Sequence, residues 1–286
     1  GVKQRAALMQ KGTENHALFM SATPIPRTLS MILYGDLDVS VIDEMPPGRK
    51  PVETRIVLAN KRDDMYAFLA DRARQGGQAY VVCPRIEGEE EDDQAAEQIY
   101  SMMKKRFADV SIGLLHGKMK QAEKQEIMEQ FAQNHIQILV STTVVEVGVN
   151  VPNATVMVIE RADRFGLAQL HQLRGRVGRG SAQSWCFLAA EREDRQRLLT
   201  MTQTQDGFEV AKADLELRGP GSFLGEEQHG FTDAGALMLT KDAGLVEEVN
   251  RAYELLQQPQ RQEDWQMVLC AAKKQYEDAL GQIAMN

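Results

Sequence analysis

Residues 170–180 read LHQLRGRVGRG, with three arginines and three glycines inside the seven positions from Arg174 to Gly180. A guanidinium is permanently charged and presents a fork of donors that matches phosphate oxygens. Glycine beside it lets the main chain approach a ligand closely. The pattern therefore points to a phosphate contact. Arginine–glycine runs also occur in flexible RNA-binding segments, but the flanks here argue for order. AQLHQL before the cluster is helix-like, and SWCFLAA after it is an apolar strand. The arginines are expected in a loop or helix end on a folded sheet, facing the edge where such sheets bind ligands.

The elements that must hold this loop follow from hydrophobic periodicity. VETRIVL, QAYVVCP, VSIGLLHG, IQILVST, ATVMVIE and SWCFLAA read as short strands. RDDMYAFLADRARQ, closed by Gly76 and Gly77, and KQAEKQEIMEQFAQ read as helices. The acidic run EGEEEDD (87–93) reads as a solvated loop entering a helix N-terminus, where negative charge is favourable. The helix after it places Ile99, Met102, Met103 and Phe107 on one face, which is core spacing. Continuous apolar strands alternating with helices predict an α/β fold, a parallel sheet covered by helices on both faces. Ligand loops in such sheets follow the carboxyl ends of strands. SATP, PRIE, HGKM and TTVVEVG all follow predicted strands.

The ends of the chain differ from this middle. VKQRAALMQ reads as a helix, ALFM as a strand stopping at Ser21, and DLDVSVID as another strand. EMPPGRKP (44–51) interrupts every periodic pattern and is the linker candidate. After residue 190, REDRQRLLTMTQ and FEVAKADLEL predict two helices joined at Asp206-Gly207. A glycine-rich stretch, RGPGSFLGEEQHG, follows. Two apolar stripes come last, one of Leu245, Val249, Tyr253 and Leu256, the other of Trp265, Leu269, Ala272, Tyr276 and Ile283.

Composition bounds the function. The 286 residues carry a net charge of −8, with 43% hydrophobic and 26% charged residues, as in ordinary soluble domains. A whole-surface basic field is absent, so any nucleic-acid contact must come from local patches. Cys83, Cys186 and Cys270 stand far apart and are expected as buried, reduced thiols of a cytoplasmic protein. The five histidines form no local metal motif, so no metal ligands are assigned. There is no signal peptide, and no apolar run is long enough for a bilayer.

The arginine cluster has companions in a fixed order: SATP, then HGKM, then VSTTVVEVGVNVP, then QLRGRVGR. This set resembles the second half of a superfamily 2 helicase. By that resemblance Ser21–Thr23 is motif III, residues 140–152 are motif V and residues 172–179 are motif VI. LLHGKM (114–119) then lies on the tracked nucleic-acid strand. TPIPRTLSMILYGDLDVSVIDEMPPGRKPVET and DLELRGPGSFLGEEQHG are similar to the RecG family of bacterial DNA helicases. The Mfd family of transcription-repair coupling translocases shares the TPIPRTL and RGPG-like blocks. The segment LYGDLDVSVIDEMPPGRK favours RecG. Asn150 stands where an aspartate is common, and it keeps a polar side chain.

The resemblance implies a RecA-like lobe with a C-terminal helical hairpin and extension. Residues 1–46 would be a remnant of a first lobe, 47–190 the second lobe, and 191–286 the coupling hairpin, loop and last helices. Arg176 and Arg179 would be the arginine fingers, with Gln172 positioning nucleotide or water. Glu146 and Gly148 would approach the nucleotide. His116, Gly117, Thr142 and Thr143 would contact nucleic-acid phosphates. Ser21, Thr23, Arg197, Arg218 and Gln228 would couple nucleotide state to movement. Arg174 falls where family members vary and ranks lower. The implied cofactors are ATP and Mg2+. The implied partners are branched double-stranded DNA (forks and Holliday junctions) and single-stranded DNA-binding protein, with no membrane.

One part of such a motor is missing from this sequence. A phosphate-binding loop needs G-x-x-x-x-G-K-S/T. The HGKM segment has Ile112 five residues before Gly117 and Met119 after Lys118. No DE-x-H/Q box occurs either. The chain opens on GVKQR without methionine and is expected to be a C-terminal piece that does not hydrolyse ATP alone. The competing expectations are an Mfd-type translocase and a non-catalytic RecA-like nucleic-acid-binding module.

Overall fold

The structure, a computed structural model, describes residues 48–84, 91–142, 151–190, 195–218, 243–256 and 258–271, with a few single positions before residue 48. Contacts divide the chain into two units, Val39–Asp214 and one that includes Leu215–Asn286, and each is described by itself.

The Val39–Asp214 unit is built on six strands: β1 (Glu53–Val57), β2 (Gln78–Cys83), β3 (Ile112–Leu115), β4 (Ile138–Thr142), β5 (Ala154–Ile159) and β6 (Trp185–Ala189). They form one parallel sheet in the order β1-β6-β5-β2-β4-β3. The helices are α1 (Arg62–Arg74), α2 (Glu91–Arg106), α3 (Gln121–Ala132), α4 (Leu167–Arg174), α5 (Arg195–Gln203) and α6 (Gly207–Arg218). The predicted parallel sheet with helices on both faces is the observed one.

The period-2 alternation of each strand divides its side chains between two cores. Ala79, Val81 and Cys83 of β2, with Ile138, Val140, Val156, Val158 and Phe187, meet Leu69 and Ala70 of α1 and Met103 of α2. Tyr80 and Val82, with Leu139, Met157, Ile159, Cys186 and Leu188, meet α3 through Phe131, α4 through Leu170 and α5 through Met201. Central strands are buried on both faces, which is why β2 reads as one continuous apolar run.

Helix ends are set by local chemistry. After α1 the Gly77 N–H donates to Arg72 O (3.0 Å) and the Gly76 N–H to Ala73 O (2.9 Å). That pairing turns the chain left-handed at Gly76, φ +87°, as the sequence predicts. Asn134 does the same after α3 with φ +61°. The helix after the acidic run begins at Glu91, inside that run. Met103 and Phe107 are buried as expected, with Ile99 and Met102 packed at the margin of the same core.

One expectation is corrected. Cys83 and Cys186 are buried, but Cys270 is exposed, because it lies in a helical stretch, residues 262–271, that is exposed along most of its length. In α7 (Ala243–Leu256) the stripe residues Val249 and Tyr253 remain 51% and 48% exposed. Tyr253 meets Trp265 edge-to-face at 5.4 Å. The elements expected before residue 46, residues 87–90 of the acidic run, and Ala272, Tyr276 and Ile283 lie outside the described residues.

Candidate functional site

The site residues divide between opposite edges of the sheet. Thr142 ends β4 at the carboxyl edge and is buried. Among the described residues its Oγ1, the Ser141 Oγ and the His116 Nδ1 are buried with no hydrogen-bond partner. His116 follows β3 directly, and its carbonyl accepts from the Met119 N–H at 3.3 Å. The Lys124 ammonium reaches back from α3 to the Gly117 carbonyl at 2.9 Å. Asp163 Oδ1, after β5, is a further buried acceptor without a partner among the described residues. Buried polar atoms are costly when unmet, so their concentration on one edge marks a place where a polar ligand would be stabilised. Thr143, Glu146 and Gly148 lie outside the described residues, as do Ser21, Thr23 and Gln228.

The arginine loop sits on the other edge. α4 runs from Leu167 to Arg174, with Gly166 before it, where the Gly166 N–H donates to Gln169 Oε1 at 3.2 Å. A helix joining two parallel strands must start near the carboxyl end of the first and finish near the amino end of the second. Whatever follows α4 and precedes β6 is therefore carried to the amino edge. Added Cβ atoms show the result. One at Gly178 would lie 2.8 Å from Val52 Cγ2 and 3.6 Å from Ser184 Cβ, just ahead of β1 and β6. One at Gly180 would lie 3.2 Å from the Pro152 carbonyl, just ahead of β5. The expectation that the cluster faces the same edge as HGKM and TTVVEVG is thus corrected by the crossover.

The three arginines of the loop have three environments. Arg174 is buried, at 3% exposure. Its Nη1 donates to Met201 O (2.8 Å) and Thr204 O (2.9 Å), and its Nη2 to Gln205 O (3.4 Å). Burial lowers its pKa, and three carbonyl acceptors satisfy the charged form without a carboxylate. Arg176 is half-buried and Arg179 exposed, with Arg179 Nε donating to Gly175 O at 3.4 Å. Both lie within electrostatic reach of Tyr80, whose phenol burial pushes up to about 12 while the two guanidiniums pull it down. Gln172 is exposed on α4.

Arg174 therefore ties α4 to the corner between α5 and α6. The sequence ranked it low, yet it falls on the α4 stripe of Leu167 and Leu170, all three buried. An arginine in register with an apolar stripe is the signal that could have found it. Arg197 returns the tie from α5, donating to Asp163 O at 3.0 Å and to Phe165 O. The Gln205 amide donates to Val52 O at 2.8 Å. Arg218 ends α6, and its side chain lies outside the described residues.

Two guanidiniums around a glycine loop fit phosphate. Among the described residues no cluster of three or more His, Cys, Asp or Glu could hold a metal ion. No helix among them is long and apolar enough to cross a membrane.

Comparison with known proteins places this arrangement. Residues 60–181 match the model of the helicase conserved C-terminal domain. The ATP-dependent DNA helicase RecG of Synechocystis sp. is 52% identical over 251 residues, 86% of this chain and 30% of that protein. RecG of Bacillus subtilis is 53% identical over 252 residues, 86% of this chain and 37% of that protein. A solved structure of RecG bound to a three-way DNA junction superimposes with a TM-score of 0.63 at 44% identity, over 83% of this chain and 32% of that one. Fold and loops together define a RecA-like helicase C-terminal lobe. Over most of its length the chain is similar to the RecG family of ATP-dependent DNA helicases. It spans about a third of the length of those curated relatives.

Proposed function

We propose that this chain supplies the second motor lobe and the coupling region of an ATP-dependent double-stranded DNA translocase that remodels stalled forks and Holliday junctions. Residues 47–190 act as the lobe, 191–286 as the coupling hairpin, loop and last helices, and 1–46 as the end of a first lobe. The reading rests on one observation above the others: Arg176 and Arg179 stand on an ordered glycine loop whose third arginine is buried in the scaffold. In this reading the two guanidiniums neutralise charge that builds on a transferring phosphoryl group, and Gln172 orients nucleotide or water. Glu146 and Gly148 complete the nucleotide contact. Mg2+ and most ATP contacts belong to a first lobe whose motifs this sequence lacks. His116, Gly117, Thr142 and Thr143 track the DNA backbone at the carboxyl edge, where the buried Ser141 and Thr142 hydroxyls and the His116 imidazole favour a phosphate ligand. The similarity to a junction-bound relative supports branched DNA as partner. Single-stranded DNA-binding protein and a cytoplasmic location complete the proposal.

In a full-length protein carrying this chain, Arg176→Ala and Arg179→Ala should each cut kcat for ATP by roughly 10³-fold or more, as arginine fingers do. Fork affinity should change little, because a finger acts on the transition state. Steady-state hydrolysis and fork binding, measured on the same variants, check this. Wild-type turnover in either variant removes that residue from the catalytic role.

A further inference from the structure

The segment EMPPGRKP ahead of β1 reads as a linker, yet it is stitched to the arginine loop. The chain turns at Pro46–Arg49, where the Arg49 N–H donates to Pro46 O at 3.3 Å. The half-buried Arg49 side chain then crosses to residues more than a hundred positions away. Its Nε donates to Gly178 O at 2.7 Å and its Nη2 to Val177 O at 3.4 Å. Further stitches follow along the same segment. The Gln183 amide donates to Pro51 O at 3.1 Å, and the Glu53 N–H to Ser184 O at 2.9 Å.

The position of the Arg49 contact matters more than its strength. Val177 and Gly178 are the two residues between Arg176 and Arg179. A carbonyl held by a donor fixes its planar peptide unit, and two successive held units fix the path between the flanking Cα atoms. Gly178 carries φ +73°, a conformation with no side-chain constraint of its own, so something outside the loop must select it. Arg49 is placed to do so. Val52 from the same segment presses on Gly178 so closely that a Cβ there would sit at 2.8 Å. The planar guanidinium suits this task, since one rigid group addresses two neighbouring acceptors.

We propose that Arg49 is a positioning residue for Arg176 and Arg179. It sets the peptide planes that aim both guanidiniums, so that segment 46–52 and the phosphate-facing loop move as one body. This rests on the reading of Arg176 and Arg179 as phosphate contacts. The role differs from plain support of the fold, because its effect must vanish when the residues it aims are gone.

The test is a mutant cycle in the full-length protein, read by DNA-stimulated ATP turnover, KM for ATP, fork affinity and thermal midpoint. Arg49→Ala should lower kcat by roughly 10- to 100-fold, the cost of a misplaced catalytic group. KM and fork affinity should stay within about twofold. In a background carrying Arg176→Ala and Arg179→Ala, adding Arg49→Ala should cost no more than about a further twofold, because groups acting as a unit are not additive. Arg49→Lys keeps the charge but loses the planar two-point fork, and it carries the same cycle if the alanine variant does not fold. Unchanged kcat, or a loss that multiplies fully in both backgrounds, overturns the proposal. Wild-type turnover in the Arg176→Ala, Arg179→Ala background instead overturns the reading of the loop itself, and the role of Arg49 with it.

Discussion

Arg174, Arg176 and Arg179 share one short stretch and answer to different forces. Arg174 gives up water and is repaid by the carbonyls of Met201, Thr204 and Gln205. Removing it leaves those acceptors without their donor, and an orphaned buried acceptor costs roughly 1–3 kcal/mol. Arg174→Leu should therefore lower unfolding free energy by about that much or more. The exposed Arg179→Ala should stay within about 0.5 kcal/mol of the parent, as surface changes do, and the half-buried Arg176→Ala should cost less than Arg174→Leu. Denaturant midpoints of the three variants decide it, and equal midpoints would contradict the division. The sequence carried half of this. The stripe Leu167, Leu170, Arg174 is visible in it, but the acceptors lie 27 to 31 residues away and are set by how α5 meets α4.

At the scale of elements, the strands were legible because burial on both faces leaves no room for polar interruption. β2, β4 and β5 appear where the apolar runs predict them, and α1 and α3 end where Gly76 and Asn134 turn left-handed. The edge on which each loop lands was less legible. It depends on chain direction through a crossover, which carries the arginine loop to the edge opposite the expected one. The ties that join α5 to α4 and to the turn before it were invisible, since Arg174 and Arg197 bind main-chain carbonyls that have no sequence signature. These ties make the corner at residues 201–206 a continuation of the arginine helix. Past it, Arg218 and Gln228 lie outside every nucleotide motif. In the full-length protein Arg218→Ala or Gln228→Ala should keep substantial fork-stimulated ATP hydrolysis while losing most unwinding. Both rates measured on one fork substrate test this. Equal loss of the two would place these residues in the catalytic or folding core instead.

At the scale of the molecule, the Val39–Asp214 unit has its own core on both faces of the sheet, while the sequence lacks a phosphate-binding G-x-x-x-x-G-K-S/T loop. The purified 286-residue chain should accordingly show no DNA-stimulated ATP hydrolysis. Turnover above background in a clean preparation would sink that expectation. The placement of the proposed loops has a mechanical corollary. His116 and Thr142 stand at the carboxyl ends and the arginine loop at the amino ends of strands five to six residues long, each strand spanning roughly 17–20 Å. What lies between is close-packed aliphatic material with low compressibility. Such a slab cannot carry a message by deforming. One end can inform the other only by the tilt or travel of the slab as a whole, as a rocker arm transmits the lift at one tip to the fall at the other.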